Sequence, residues 1–152
     1  MQKLTPFVIS CLLVFGVAAC DNVSKTSESA PGNVNEAPQT PSAQTTEASQ
    51  KDAQSELRRR QLNEDIRARE QRNNATGGDA NRAEADIASE VRSKLEANIP
   101  GGQLTVAAKD GTVTVGGTVP NQDQIAKIEP LSKEIKGVKT VVVKAAVAKP
   151  QR

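Results

Sequence analysis

The chain has 152 residues, with 20 Lys and Arg against 18 Asp and Glu, a net charge of +2, no His and 1 % aromatic residues. This length suits one modest domain plus non-globular material. So small a charge, with only two aromatic rings for base stacking, argues against a nucleic-acid partner, and the lack of His removes the commonest acid/base and zinc-ligating side chain.

Met1-Gln2-Lys3 forms a short basic start, and Leu4 to Val17 is apolar but too short to span a bilayer comfortably. Phe7 and Phe15, the two aromatic residues of the chain, both lie here. The segment ends Val17-Ala18-Ala19-Cys20, which resembles the lipobox of bacterial lipoproteins at each of its four positions. The resemblance implies a signal peptide over residues 1–19 and a Cys20 that becomes the acylated N-terminus. Cys11 would leave with the leader, so no intramolecular disulfide is expected. The bilayer would then be held through acyl chains, each buried methylene contributing about 0.8 kcal/mol. Asp21, followed by Asn22, resembles the signal that retains lipoproteins in the inner membrane of enterobacteria, and this favours the periplasmic face of that membrane over the outer membrane.

Residues 20–50 are rich in Ser, Thr, Pro, Gln, Asn, Ala and Glu, a composition that buries too little apolar surface to offset ordering entropy. A disordered tether is expected, with a reach of roughly 30 Å. Residues 51–78 read as a charged helical linker ending in a Gly hinge. Lys51 to Arg72 lacks Gly and Pro, and Glu56 with Arg60 and Asp65 with Arg69 form i,i+4 pairs. Its apolar residues, Ala53 with Leu57 and Leu62 with Ile66, make no continuous stripe. A solvated spacer is favoured over docking through Leu62 and Ile66, or over contact of Arg58-Arg59-Arg60 with headgroups, because acidic residues interrupt the basic ones.

Residues 79–149 read as one folded unit. Ile87, Val91 and Leu95 recur on one helix face, with Asn81 or Asp79 as N-cap and Pro100-Gly101-Gly102 as terminator. Leu104, Val106 and Ala108 alternate with polar or small residues, as do Val113, Val115 and Val119, around Asp110-Gly111, the dipeptide suited to a hairpin turn. Gly117 falls on the inward parity, where it would leave room for a helix. After Pro120-Asn121, the spacing of Ile125, Ile128, Leu131 and Ile135 predicts a second helix, with a kink or a break at Pro130 and Gly137 as C-cap. Val138 to Val147 alternates again and predicts a third strand. The order αββαβ gives an α+β fold: a three-stranded mixed sheet, the second strand central and parallel to the third, with two helices on one face. The other face, with Thr112, Thr114, Thr118, Val142 and Lys144, would stay open or be covered by something else.

Gly111, Val113, Val115, Gly117 and Val119, followed after a helix by Lys136-Gly137-Val138 and a Val-rich strand, resemble the BON domain of bacterial osmotically inducible and nodulation proteins. That resemblance covers Asp79 to Ala148 in a single copy. It implies a periplasmic or envelope module that binds phospholipid or membrane surfaces and serves envelope stress tolerance.

No catalytic constellation is legible. Asp86 with Glu90 is the neatest carboxylate pair, but an exposed helix face beside Arg82 and Lys94 is favoured over an acid/base site, and no ligand cluster for a metal is apparent. No cofactor is expected. Two non-enzymatic readings follow. In one, Lys127, Lys133, Lys136, Lys139 and Lys144 form a diffuse basic patch toward anionic phospholipid. In the other, the exposed sheet face or an edge strand pairs with another envelope protein or with a second copy.

Overall fold

The computed structural model describes residues 23–37, 41–76 and 82–148. Cys20, Asp21 and Asn22 lie outside the described residues, as do Asp79 and Asn81. The element order is β1 (Val23–Lys25), α1 (Ala43–Gln54), α2 (Glu56–Thr76), α3 (Glu84–Asn98), β2 (Gln103–Lys109), β3 (Thr112–Val119), α4 (Gln122–Lys133), β4 (Thr140–Val143) and β5 (Ala146–Val147).

The hairpin stands as predicted. β2 and β3 pair antiparallel with Lys109 opposite Thr112, and the turn residues Asp110 and Gly111 both take positive φ, 52° and 80°. Two left-handed residues in sequence match the right-handed strand twist, which is why Asp-Gly suits this position. β3 is central, with β4 and β5 parallel to it on its other side. The expected third strand is divided into these two pieces at Lys144 and Ala145.

The sheet is nevertheless larger than the three strands expected. Val23 to Lys25, assigned to the disordered tether, adds a strand antiparallel to β2. Thr26 then locks the segment: its amide donates to the Leu104 carbonyl at 2.8 Å, and its Oγ1 accepts from the Leu104 amide at 2.8 Å. Strand addition uses backbone groups, so a polar composition that forbids an independent core does not forbid an edge strand. The following turns lie over the polar sheet face. Thr105 Oγ1 donates to the Pro31 carbonyl at 2.6 Å, and Gly116 lies directly beneath Val34, whose carbonyl oxygen would stand 2.7 Å from a Cβ there. Of the two expectations for the polar face, cover holds for much of it: the chain's own N-terminal segment lies there, and Thr105 and Thr118 are buried.

Helix α1 begins within the supposed tether and runs into the charged stretch, capped by the Ser42 side chain on the Thr45 amide at 3.1 Å. At Ser55 the backbone becomes extended, so the charged stretch is divided between two helices. α2 docks on α3 and does not act as a solvated spacer: Leu62 is fully buried and Ile66 packs against the main core.

That core lies between the apolar sheet face and α3 with α4. Ile87, Val91 and Leu95 from α3 meet Val106, Val113, Val115 and Val119 from the sheet, with Ile128 from α4. Ala83, and neither Asn81 nor Asp79, occupies the N-cap of α3, without a side-chain cap bond. Helix α4 runs without a break through Pro130 to Lys133. Only one ladder bond is forfeited so near the helix end. Gly137, at φ 88°, shapes the turn three residues beyond the C-cap Glu134 and is not itself the cap.

Among the described residues, no helix is long and apolar enough to cross a membrane.

Candidate functional site

Helix α3 carries carboxylates at Asp86, Glu90 and Glu96, and the elements packed around it supply guanidinium groups. Arg58 of α2 approaches Glu96 Oε1 at 2.6 Å, while Arg92 holds Glu96 Oε2 at 2.9 Å. Asp86 accepts from Arg69 of α2 at 2.7 Å. These pairs bracket Leu62 and Ile66, so the α2–α3 contact is apolar in the middle and ionic toward its ends. Charges at such positions fix the register of one helix on another more than they add stability.

The third carboxylate is set deeper. Glu90 Oε1 accepts from Arg82 Nη2 at 2.8 Å, with the side chains 0 % and 1 % exposed. Arg82 Nη1 also donates to the Lys136 carbonyl at 3.0 Å, which ties the approach to α3 to the turn after α4. Among the described residues, Glu90 Oε2 and Arg82 Nε have no hydrogen-bond partner. Burial pushes the Glu90 carboxyl up to about 7; Arg82 draws it part of the way back, and Glu70 and Asp86 add repulsion. The expectation of an exposed Asp86–Glu90 face beside Arg82 and Lys94 is thus overturned. Glu90 is a core group, Asp86 is committed to Arg69, and Lys94 pairs with Glu134 at 2.5 Å. A signal existed in the sequence, since Glu90 lies three residues from Ile87 and next to Val91, at the border of the apolar stripe.

The five lysines do not form one patch. Lys127 and Lys133 are exposed on α4, and Lys133 is neutralised by Glu129 at 2.6 Å. Lys136 and Lys139 are exposed in the connection from α4 to β4, with the Lys139 amide bonded to the Gly111 carbonyl at 2.8 Å. Lys144 belongs to the other side of the sheet, where its Nζ donates to Asn35 Oδ1 at 2.6 Å. Parity explains the separation: Val143 and Ala145 pack on the core, so Lys144 between them points away from α4. The lysines nearest to one another in purpose are Lys136 and Lys139, which share the hairpin end of the sheet with Lys109.

The residues singled out by pattern serve the fold. Val113, Val115 and Val119 are fully buried, and Val138 packs at the core's margin. Gly111 and Gly137 adopt positive φ in turns. Gly117 has φ 112°, and a Cβ there would run into the Gln103 carbonyl oxygen of the neighbouring strand. Its role is to admit that backbone, not an approaching helix.

Residues 83–149 match the family model of the BON domain. The chain carries a BON domain. The match begins at Ala83, the N-cap of α3, and takes in the αββαβ succession through β5. β1, the turns after it, α1 and α2 lie outside it, yet β1 covers the edge of β2, the turns cover part of the polar face and α2 covers the outer side of α3. BON domains are associated with phospholipid binding and with envelope and osmotic-stress proteins. Searches of curated proteins and of solved structures gave no match to this chain.

Proposed function

We propose that the protein is a membrane-anchored envelope lipoprotein, acylated at Cys20 and facing the periplasm, whose BON domain engages phospholipid and supports envelope integrity or stress tolerance without catalysis. The BON domain at residues 83–149 carries the reading, and Val17-Ala18-Ala19-Cys20 supports the anchor. The acyl chains would supply most of the membrane affinity, because the chain after Cys20 has no aromatic residue to insert. Lysines at the hairpin end would add electrostatic attraction to anionic headgroups.

The test uses the whole chain in two forms. The native form should incorporate labelled palmitate and fractionate with membranes, and a Cys20→Ser chain should lose both properties. The soluble Cys20→Ser chain is then floated with phosphatidylglycerol-containing vesicles and with phosphatidylcholine vesicles, at low and moderate salt. Co-flotation with the anionic vesicles alone supports phospholipid engagement by the folded part. Absence from both removes that engagement and leaves only the anchor.

One observation favours a second reading, a module that binds another envelope protein or a second copy. Val142 of β4 and Val147 of β5 are exposed, at 39 % and 37 %, along the sheet margin opposite β1. A strand added there would cover both valines. Cross-linking from a photoreactive residue at position 142 in intact envelopes would capture such a partner, and the lack of any adduct would dismiss it.

A further inference from the structure

Cys20 precedes Val23, the first residue of β1, by three positions in the sequence. Val23 pairs with Ala107, and β1 runs antiparallel to β2. The start of β1 therefore lies beside the end of β2, next to the Asp110-Gly111 turn. Consecutive Cα atoms are 3.8 Å apart, so the Cα of Cys20 stays within about 11 Å of that of Val23. β3 is eight residues long, about 23 Å at the rise of a strand. Its far end, where Gln124 Nε2 donates to the Pro100 carbonyl at 3.2 Å, is out of reach of so short a link.

We propose that the acylated Cys20 seats the hairpin end of the BON domain directly on the phospholipid headgroups, with the opposite end of the sheet turned to the periplasm. This rests on the anchor reading above and adds an orientation that the family match does not carry. The surface at that end suits the partner. Lys109, Lys136 and Lys139 are exposed there, and long lysine stems let ammonium groups reach phosphate oxygens. Two acidic residues stand among these three lysines: Asp110, exposed at the turn, and Glu84, which accepts from the Asp110 amide at 2.8 Å. A shallow cleft of about 300 Å3, lined by Ala107, Ala108, Lys109, Asp110, Thr112 and Thr114, opens on the polar sheet face at the same end.

The acylated full chain, reconstituted in phosphatidylethanolamine–phosphatidylglycerol vesicles, provides the test. Acylation of Cys20 leaves no native thiol, so single cysteines can be introduced at exposed positions: Lys109→Cys and Lys139→Cys at the hairpin end, Gln122→Cys and Asp123→Cys at the other. Each is labelled with a fluorophore and exposed to headgroup-nitroxide lipid. Quenching should be several-fold stronger at positions 109 and 139 than at 122 and 123. Equal quenching at both ends, or the reverse order, overturns the orientation. Mass spectrometry of the N-terminal peptide in the same samples separates the two ideas. Unacylated Cys20 overturns both, whereas acylated Cys20 with the wrong quenching order overturns the orientation alone.

Discussion

Arg82 and Glu90 meet at 2.8 Å with both side chains sealed from solvent, and this pair joins the start of α3 to the turn that leads into β4. Burial raises the Glu90 carboxyl from its ordinary value of 4.5 to about 7. The folded protein therefore keeps this proton over a range in which the unfolded chain has released it. The contribution to stability is complete below about pH 4.5 and is lost as the pH rises to 7, by an amount on the order of 3 kcal/mol. Melting temperatures measured from pH 5 to pH 8 should fall, and the fall should be shallower for Glu90→Gln, which stays neutral throughout. A wild-type curve no steeper than that of the variant would disprove the assignment.

Gly117 cannot carry a side chain without moving the neighbouring strand. Its φ of 112° is unfavourable for any L residue, and a Cβ would strike the Gln103 carbonyl. Gly117→Ala should therefore destabilise the fold by about 1–3 kcal/mol from strain alone, and Gly117→Val by more. Urea denaturation monitored by circular dichroism measures this. Stability equal to the wild type in the alanine variant would contradict the backbone geometry of β3.

Gly116, one residue earlier, tests a different contact. Its side-chain direction is toward Val34, so Gly116→Val should lift the N-terminal segment off the sheet while leaving the apolar core intact. Hydrogen exchange at the Thr26 and Leu104 amides should accelerate at least tenfold, with the melting temperature reduced far less than in the Gly117 variants. Unchanged exchange at Thr26 would mean that Val34 does not lie over Gly116.

Leu62 holds α2 against α3. Leu62→Ala should cost about 2–5 kcal/mol, the range for a fully buried leucine, and should open α2 to proteolysis at Arg59, Arg60 and Arg67. A trypsin digest followed over time distinguishes this from the free helix expected of a solvated spacer, which would be cut equally fast in wild type and variant.

The legible parts of the fold are those governed by local pattern. Ile87, Val91 and Leu95 mark a helix at any tertiary placement, and Asp110-Gly111 between two alternating runs marks a hairpin. The αββαβ order and the BON resemblance followed from such features, and both hold. Pro130 does not break α4, because a proline near a helix C-terminus forfeits only one bond. Gly117 lies in the strand that its pattern predicts, but the backbone of Gln103 requires it and not a helix, since parity records which face a residue is on and not what stands opposite its Cα.

What the sequence by itself determined is the BON succession of elements and the apolar faces that build its core, because periods of two and of three to four are properties of neighbouring residues. Only the tertiary structure decided what becomes of residues 23–37 and 41–76. Val23 to Thr26 is ordered by hydrogen bonds to the backbone of β2, α2 by Leu62 and by arginines matched to the carboxylates of α3. Composition is blind to such partners, which lie tens of residues away along the chain. The same holds for Glu90, whose charge is written in the sequence and whose burial beside Arg82 is a consequence of packing alone.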